Sequence, residues 1–247
     1  MKEKRTQDLY NVYRLIMSNS RNDIFVVVPA YNEDKTVSQI IEGIAGEGYN
    51  VVLVNDGSKD NTLKFAIESK AKYPDKIFIV SHIVNRGLGA GLKTGMTVAL
   101  NKGAKYVLTF DADGQHDIAD IEKVVKPLQD GEADACIGAR PLGDMPFSKS
   151  FANFTMNFLT LIFYGANVKD SQSGLRAFTA NAASQINVVS SGYAVSSEFI
   201  KEISDKNLRL AEVTITTIYT PETQHKGTDA IVGLKILFKM ILDLFKI

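Results

Sequence analysis

The chain has 247 residues, of which 45% are hydrophobic, a length and composition typical of one α/β domain with a sizeable core. Its 28 Lys and Arg residues balance its 28 Asp and Glu residues, so no overall charge attracts nucleic acid or an anionic membrane, and electrostatic recognition must be local. The single cysteine, Cys136, excludes an internal disulfide and a cysteine-based zinc cluster, and we interpret it as a small buried hydrophobic residue.

The N-terminal residues 1–23 alternate charged with apolar side chains. They contain neither a continuous apolar stretch nor a small-residue cleavage site, so we predict no signal peptide. A short amphipathic helix is expected there, as an extension that precedes the domain.

Strands alternate with helices over the first half of the chain. The run from Ile24 to Val28 is typical of a strand buried on both faces and closed by Pro29. Further strands are predicted at Val51–Val54, Ile77–Val80 and Tyr106–Phe110, with a helix after each. This alternation predicts a mainly parallel sheet flanked by helices, with a ligand site beyond the carboxyl ends of the strands.

The alternation loosens in the second half. We predict a helix over Ile118–Gln129 and a strand over Ala135–Ala139, then strands at Leu175–Thr179 and Arg209–Tyr219. The last of these alternates in the manner of a half-exposed edge strand. Since no repeat or linker interrupts the chain, we predict a single domain over residues 24–220.

Two apolar segments have two interpretations each. The uncharged segment Phe151–Val168 contains too many polar residues to span a bilayer, so it is either a buried core helix or a helix at a membrane interface. Its interfacial contacts would be Phe151, Phe154, Phe158, Phe163 and Tyr164. Residues 229–247 predict a basic amphipathic helix, packed on the domain or lying on a membrane surface.

An acidic motif, DADGQH, follows the fourth strand. Extended geometry would send Asp111 and Asp113 to the same face, where a divalent cation relieves their repulsion. Hard oxygen ligands select Mg2+ or Mn2+, with the Gln115 carbonyl as a third ligand. The alternative is a pair of turn residues that cap the next helix, which suits Asp117 better; His116 we interpret as a polar loop histidine.

Three common enzyme classes lack their motifs. The glycines of NRGLGAGLKTG do not form GxGxxG, and GxxxxGK[ST] and GxSxG are absent. A dinucleotide-dependent dehydrogenase, a P-loop kinase and a serine hydrolase are therefore disfavoured.

Six motifs in this order resemble the family 2 glycosyltransferases of the GT-A fold, and within them the dolichyl- or polyprenyl-phosphate sugar synthases. They are VVVPAYNE at Val26–Glu33, VNDGSKDNT at Val54–Thr62, NRGLGAG at Asn85–Gly91, DADGQH at Asp111–His116, GAR at Gly138–Arg140 and DSQSGLRAF at Asp170–Phe178. The resemblance covers roughly Ile24 to Thr220 and implies a single GT-A, Rossmann-like domain with terminal amphipathic helices.

The resemblance also implies roles for individual residues. Asp56 would contact the base of the nucleotide, and Asp111, Asp113 and Gln115 would hold the metal against the donor diphosphate. The nucleotide pocket would be lined by Pro29, Ala30, Tyr31 and Glu33.

On the acceptor side, Arg140 matches an arginine that holds the acceptor phosphate, with a surface salt bridge as the alternative. Asp170 and Arg176 match a segment near the donor sugar and acceptor, with a buried Asp–Arg pair that only fixes the loop as the alternative. Lys226 is the expected closing cation in residues 221–247, although the usual basic closing motif is incomplete.

The implied reaction is a metal-dependent inverting transfer of a sugar, with Asp113, Arg140, Asp170 and Arg176 as the catalytic set. The donor would be GDP- or UDP-linked, and the acceptor a dolichyl or polyprenyl phosphate at the cytoplasmic face of a membrane. A phosphate oxyanion needs no general base, whereas a glycan or protein hydroxyl would need one, Asp170 or Glu198. A non-catalytic nucleotide-sugar-binding protein is the third interpretation. An integral-membrane partner or a homo-oligomer is left open.

Overall fold

A computed structural model describes residues 21–141, 147–188, 190 and 194–218. Within these ranges the chain forms seven strands and seven helices, which we number in chain order. They are β1 Ile24–Ala30, α1 Val37–Gly46, β2 Asn50–Asn55, α2 Thr62–Lys72, β3 Ile77–Ser81, α3 Leu88–Asn101, β4 Tyr106–Thr109, α4 Asp120–Gln129, β5 Ala135–Ala139, α5 Phe147–Tyr164, β6 Arg176–Thr179, α6 Ala180–Gln185, α7 Ala194–Asp205 and β7 Leu210–Thr214.

The strands form one sheet in the order β3-β2-β1-β4-β6-β5-β7. β1 pairs parallel with β2 and β4, β2 with β3, and β5 with β7. β6 is antiparallel to both of its neighbours, β4 and β5. The predicted α/β class and mainly parallel sheet are confirmed, while the antiparallel strand in the middle of the sheet was not predicted.

Helices cover both faces of the sheet, which explains why β1 and β2 are apolar on both sides. On one face of the sheet, α1 and α2 pack over β1, β2 and β3, and α4 packs over β4, β5 and β6, through a core that includes Ile41, Ala66 and Val124. On the other face, α3, α6 and α7 pack through a core that includes Met96 and Phe199. The sheet is therefore the middle of three layers.

β1 extends past the predicted end at Pro29. Its pairing with β2 continues to Ala30 opposite Asn55, whereas its pairing with β4 ends at Val27 opposite Thr109. On the β4 side Pro29 thus has no strand neighbour, so its missing N–H leaves no ladder hydrogen bond unmade. The prediction that Pro29 closes the strand was wrong for that reason.

β7 is an edge strand, as predicted, but it is shorter than the predicted Arg209–Tyr219. After Thr214 the chain leaves β5. Thr217 then forms an isolated antiparallel bridge with His116, and the N–H of Ile218 donates to the Gln115 carbonyl at 2.9 Å. The end of the described chain therefore lies against the DADGQH loop.

Most of the uncharged segment lies in helix α5, one side of which is buried as expected of a core helix, while contact with a membrane stays a prediction. α5 buries Met156 and Leu159, while Phe154 and Phe158 remain 66% and 52% exposed. The helix is thus packed on one side and presents apolar side chains on the other. None of the described helices combines the length and apolar content needed to cross a bilayer.

Cys136 is buried in β5, and burial, with a smaller contribution from Glu212, raises the pKa of its thiol to about 12. Its interpretation as a core residue is confirmed. Residues 1–20 and 219–247 lie outside the described residues, and with them the two predicted terminal helices and Lys226.

Helix α3 approaches the sheet at Gly95. A Cβ there would overlap Val27 Cγ1 and lie 3.1 Å from Val54 Cγ2. We expect Gly95→Ala to lower the free energy of unfolding by about 1–3 kcal/mol, because added volume in a packed core forces the helix off the sheet. Urea denaturation measures this change.

Gly46→Ala is the matched control. Gly46 is the last residue of α1, and a Cβ added there would lie at an ordinary van der Waals distance of 3.5 Å from the Tyr73 hydroxyl. We expect its free energy of unfolding to stay within about 1 kcal/mol of that of the unchanged protein. Equal losses in the two variants would contradict the close packing of α3 on the sheet.

Candidate active site

Three polar loops meet at one edge of the sheet, beyond the carboxyl ends of β1, β2 and β4. The register aligns Ala30 with Asn55 and Val27 with Thr109, so neighbouring strands finish close together. The motifs PAYNE, NDGS and DADGQH are therefore neighbours in space, as predicted for a parallel sheet.

The loops after β1 and β2 are hydrogen-bonded to each other. The Asn32 N–H donates to Ser58 Oγ at 3.1 Å, and the Lys59 N–H donates to Asn32 Oδ1 at 2.9 Å. The Glu33 N–H donates to Thr62 Oγ1 at 2.8 Å. Asn32 adopts a left-handed φ of 55°, which an asparagine accepts more readily than most residues. These bonds hold the segment that contains the predicted nucleotide-pocket residues Pro29, Ala30, Tyr31 and Glu33.

Asp56 is buried and anchors the NRGLGAG loop. Its carboxylate accepts the N–H groups of Arg86 and Gly87 at 2.9 and 2.8 Å, and it lies 2.7 Å from His82 Nδ1. The other ring nitrogen of His82 lies 3.0 Å from Thr94 Oγ1 on α3. Asp56 thus joins β2 to the start of α3, and its contact with a nucleotide base stays a prediction.

Asp111 lies where β4 and β6 come together. The Asp111 carboxylate faces Gly174, where any Cβ would overlap it, and Asp111 Oδ2 is 3.6 Å from His116 Nε2. Burial disfavours the charged form of Asp111, but the neighbouring His116, together with the charges of Arg176 and Arg140, holds the pKa of Asp111 below its ordinary value. The side chain keeps 39% of its surface exposed, so an ionised oxygen is available to a ligand.

Asp113 lies in a turn and not in the strand. β4 ends at Thr109, so the extended geometry expected over the two aspartates is absent. The N–H of Gln115 donates to Asp113 Oδ1 at 3.0 Å, and Gly114 between them has a φ of 81°. Asp113 lines a cavity of about 920 Å³ together with Glu33.

The donor atoms at this edge suit a hard divalent cation. Asp111 and Asp113 carry carboxylate oxygens, and Gln115 carries carbonyl oxygens, of which the backbone one also accepts the Ile218 N–H at 2.9 Å. Among the described residues, no group of three or more His, Cys, Asp and Glu side chains is arranged to hold a metal. Binding of a divalent cation by Asp111, Asp113 and Gln115 stays a prediction.

Arg140, at the end of β5, pairs with Asp170. Arg140 Nε and Nη2 donate to the two Asp170 oxygens at 2.6 and 2.9 Å, and the Arg140 backbone N–H donates at 3.1 Å. The Asp170 side chain is fully buried and that of Arg140 is 19% exposed. Asp170 therefore pairs with Arg140, 30 residues away in the sequence. The alternative in which Asp170 pairs with Arg176 was wrong.

Arg176 is 2% exposed at the start of β6. Its Nη2 donates to Ser196 Oγ at 2.8 Å. Burial lowers the pKa of the Arg176 guanidinium to about 10, while Asp111 and Asp170 favour its charged form, so it remains a cation at pH 7. Antiparallel pairing places Arg176 opposite Thr109, which is how a cation comes to lie at the carboxyl end of β4.

A groove of about 470 Å³ runs between α5 and the end of β5. Arg140 and Lys169 line it together with Phe154, Phe158 and Leu161. Cationic and apolar side chains thus share one concave surface, which suits a ligand with an anionic head and an apolar tail.

Three residues of the site were not predicted. His82 contacts Asp56, Gly174 gives room to the Asp111 carboxylate, and Asn157 binds the loop around Asp170. The SGLR motif contained a signal for Gly174, because a glycine there permits close approach. Nothing in the sequence pointed to His82 or Asn157, because their partners lie 26 and 12 residues away or more.

Comparisons with known proteins agree with this geometry. The model of the family described as Glycosyl transferase family 2 matches residues 25–184. An uncharacterized protein of Methanocaldococcus jannaschii is 45% identical over 91% of this chain and 93% of its own length. The UDP-N-acetylglucosamine–dolichyl-phosphate N-acetylglucosaminyltransferase of Methanococcus voltae is 33% identical over 89% of this chain and 95% of its own length.

Among solved structures, a glucosyl-3-phosphoglycerate synthase of Mycobacterium tuberculosis in complex with Mn2+ and UDP-glucose superposes with a TM-score of 0.69. The match covers 91% of this chain and 79% of that one at 18% identity, so it is evidence for the fold alone. The fold and the family match together define a GT-A-like glycosyltransferase. The chain belongs to glycosyltransferase family 2, and its relatives include dolichyl-phosphate sugar transferases.

The buried Arg140–Asp170 pair has an exposed counterpart. Arg209 and Asp134 pair through the same atoms at 3.0 and 2.9 Å, with the Arg209 N–H also donating, but their side chains are 58% and 26% exposed. We expect Asp170→Asn to lower the free energy of unfolding by about 3 kcal/mol, since it leaves Arg140 with its charge uncompensated. Asp134→Asn should cost about 1 kcal/mol or less. Urea denaturation of both variants tests this difference, and similar losses would contradict it.

Proposed function

We propose that this family 2 glycosyltransferase moves a sugar from a GDP- or UDP-linked donor to a dolichyl or polyprenyl phosphate at the cytoplasmic face of a membrane, in a metal-dependent inverting reaction. The observation that carries the proposal is the groove beside α5, in which Arg140 lies next to Phe154 and Phe158. A lipid phosphate has the matching chemistry, an anionic head joined to an apolar chain. In the proposed organisation, residues 24–220 form the catalytic domain between the extensions 1–23 and 221–247.

The membrane contact is assigned to the exposed side of α5. Phe154, Phe158, Leu161 and Ile162 are between 42% and 66% exposed, although all four are large and apolar. Such a surface is costly in water and favourable at a lipid interface. Lys169 and Arg140 border it and would face the anionic headgroups.

The hydrogen bonds and burial of Asp170 favour a phosphate acceptor over a hydroxyl acceptor. Both Asp170 oxygens are occupied by Arg140, and the side chain is fully buried, so it is poorly suited to remove a proton from an acceptor. The other candidate base, Glu198, accepts the Ser190 N–H at 2.8 Å. A phosphate monoester, with a second pKa of about 6, already carries a nucleophilic oxyanion at pH 7 and needs neither residue as a base.

On the donor side, Asp111, Asp113 and Gln115 would hold Mg2+ or Mn2+. When bound, such a cation neutralises the charge that develops on a departing nucleoside diphosphate. Asp56 and the PAYNE segment would orient the nucleotide, and Arg176 would add a fixed positive charge beside Asp111 near the donor sugar. Lys226 remains the proposed closing cation. The name of the Methanococcus voltae relative makes UDP-N-acetylglucosamine the first donor to test.

The proposal is tested by incubating the purified protein with a polyprenyl phosphate and a panel of labelled nucleotide sugars, with and without Mn2+. Metal-dependent formation of a lipid-linked sugar from one donor is the expected result. Transfer only to glycan or protein hydroxyls would show that the proposed lipid phosphate acceptor is wrong. Binding of a nucleotide sugar without any transfer would support the non-catalytic interpretation.

Asp113→Asn tests the metal assignment. Loss of one carboxylate ligand should lower Mn2+-dependent transfer by about 100-fold or more and weaken Mn2+-dependent donor binding. Asp130→Asn, in an exposed ion pair at the end of α4, is the matched control and should keep transfer within about threefold. Titration calorimetry with donor and Mn2+ measures the binding. Unchanged donor binding in Asp113→Asn would rule out the assigned ligand.

The membrane contact is tested by the double change Phe154→Ser and Phe158→Ser. We expect binding to vesicles of phosphatidylcholine and phosphatidylglycerol to weaken by at least about tenfold, because each phenyl ring buried in lipid contributes about 1.5 kcal/mol or more. Ile67→Ser on α2, at a residue 56% exposed, is the control. Equal vesicle binding by the double variant and the unchanged protein, in a sedimentation assay, would refute the contact.

A further inference from the structure

Asn157 binds the backbone on both sides of Asp170. Its Nδ2 donates to the Lys169 carbonyl at 2.6 Å, and its Oδ1 accepts the Ser171 N–H at 2.9 Å. A side-chain amide can donate and accept at once, which is what these two backbone groups require. The residue between them, Asp170, is thereby fixed in position by a side chain of α5.

The same loop is held to the sheet by a second contact. The Lys169 N–H donates to Glu212 Oε1 at 2.6 Å, and Glu212 belongs to β7. Lys169 is thus bonded through its N–H to the sheet and through its carbonyl to α5. The position of the Asp170 carboxylate depends on both elements.

Asp170 in turn sets the direction of Arg140. Three donors of Arg140 converge on the Asp170 carboxylate at 2.6, 2.9 and 3.1 Å, and the pairing of Nε and Nη2 with two oxygens fixes the plane of the guanidinium. A displacement of the loop would rotate that plane. Asn157 therefore acts on Arg140 through Asp170 and needs no direct contact with Arg140 for this effect.

Asn157 also lines the groove beside α5, together with Phe154, Phe158 and Arg140. One helix therefore carries the apolar side chains that border the groove and the amide that fixes the arginine at its end. A ligand chain lying along α5 would meet an arginine whose direction is set by that same helix.

We propose that Asn157 is a positioning residue for the acceptor phosphate. Its hydrogen bonds to the backbone of Lys169 and Ser171 fix Asp170, and Asp170 orients the Arg140 guanidinium toward the phosphate. This inference rests on the proposed function, in which Arg140 binds the phosphate of the lipid acceptor. The effect of Asn157 on the phosphate passes through Asp170 and Arg140.

The experiment is a double-mutant cycle on the full chain, with Asn157→Leu, Arg140→Ala and the combined variant. Leucine has nearly the shape of asparagine and removes both hydrogen bonds. We expect Arg140→Ala to raise the KM for polyprenyl phosphate about 100-fold, and Asn157→Leu to raise it about tenfold, with the KM for the nucleotide sugar unchanged in both. In the Arg140→Ala background, Asn157→Leu should add less than about twofold, because its effect passes through Arg140.

Two further variants distinguish an effect on Arg140 from a general loss of stability. Leu159→Ala removes a buried side chain from the same helix and should lower stability without changing the KM for the lipid phosphate. Asn157→Asp still accepts the Ser171 N–H but cannot donate to Lys169, and it should raise the KM for the lipid phosphate about threefold. It keeps the test available should Asn157→Leu fail to fold.

The outcomes separate the two proposals. Suppose that Arg140→Ala raises the KM for the lipid phosphate, so that the role of Arg140 stands. Asn157 is then not a positioning residue if Asn157→Leu leaves that KM unchanged. It is also not a positioning residue if Asn157→Leu raises the KM by the same factor in the Arg140→Ala background as in the unchanged protein. If Arg140→Ala leaves that KM unchanged, the acceptor role of Arg140 is wrong and the inference falls with it. A similar rise for Leu159→Ala would also overturn the inference, since general loosening of α5 would then account for it.

Discussion

The pairing of Arg140 with the fully buried carboxylate of Asp170 is the interaction on which the proposed acceptor half of the site depends. A buried carboxylate requires compensation, and here a guanidinium and a backbone N–H provide it. The pair joins the end of β5 to the loop that precedes β6, and Asn157 and Glu212 secure that loop from α5 and β7. Four separate elements thereby meet at one charged pair beside the groove.

The proposed donor half of the site depends on the antiparallel strand β6. Because β6 runs against β4, its first residues lie at the carboxyl end of β4, where Thr109 Oγ1 donates to the Gly174 carbonyl at 2.8 Å. Gly174 gives the Asp111 carboxylate room, and Arg176 brings a buried cation near it. The two halves of the site are therefore continuous, since the segment from Asp170 to Arg176 takes part in both.

Much of this arrangement could be predicted from the sequence. Val26–Val28 and Val51–Val54 are apolar runs typical of a parallel sheet covered on both faces, in which the motifs that follow neighbouring strands lie at one edge. The family followed from the order of the motifs, and the family match at residues 25–184 agrees with it. Two errors concerned the ends of strands. Pro29 was taken to end β1, and Asp111–Asp113 were taken as extended, because pairing limits depend on the neighbouring strands.

The sequence by itself determined the fold class, the family and the polar residues available at the sheet edge, since hydrophobic periodicity and motif spacing are properties of neighbouring positions along the chain. Only the tertiary structure decided that Asp170 pairs with Arg140 and not with Arg176, that Asp56 anchors the loop at Gly87, and that Asn157 holds the backbone around Asp170. These partners are 30, 31 and 14 residues apart. Contacts across such separations depend on strand order and on the direction of β6, which no local pattern encodes.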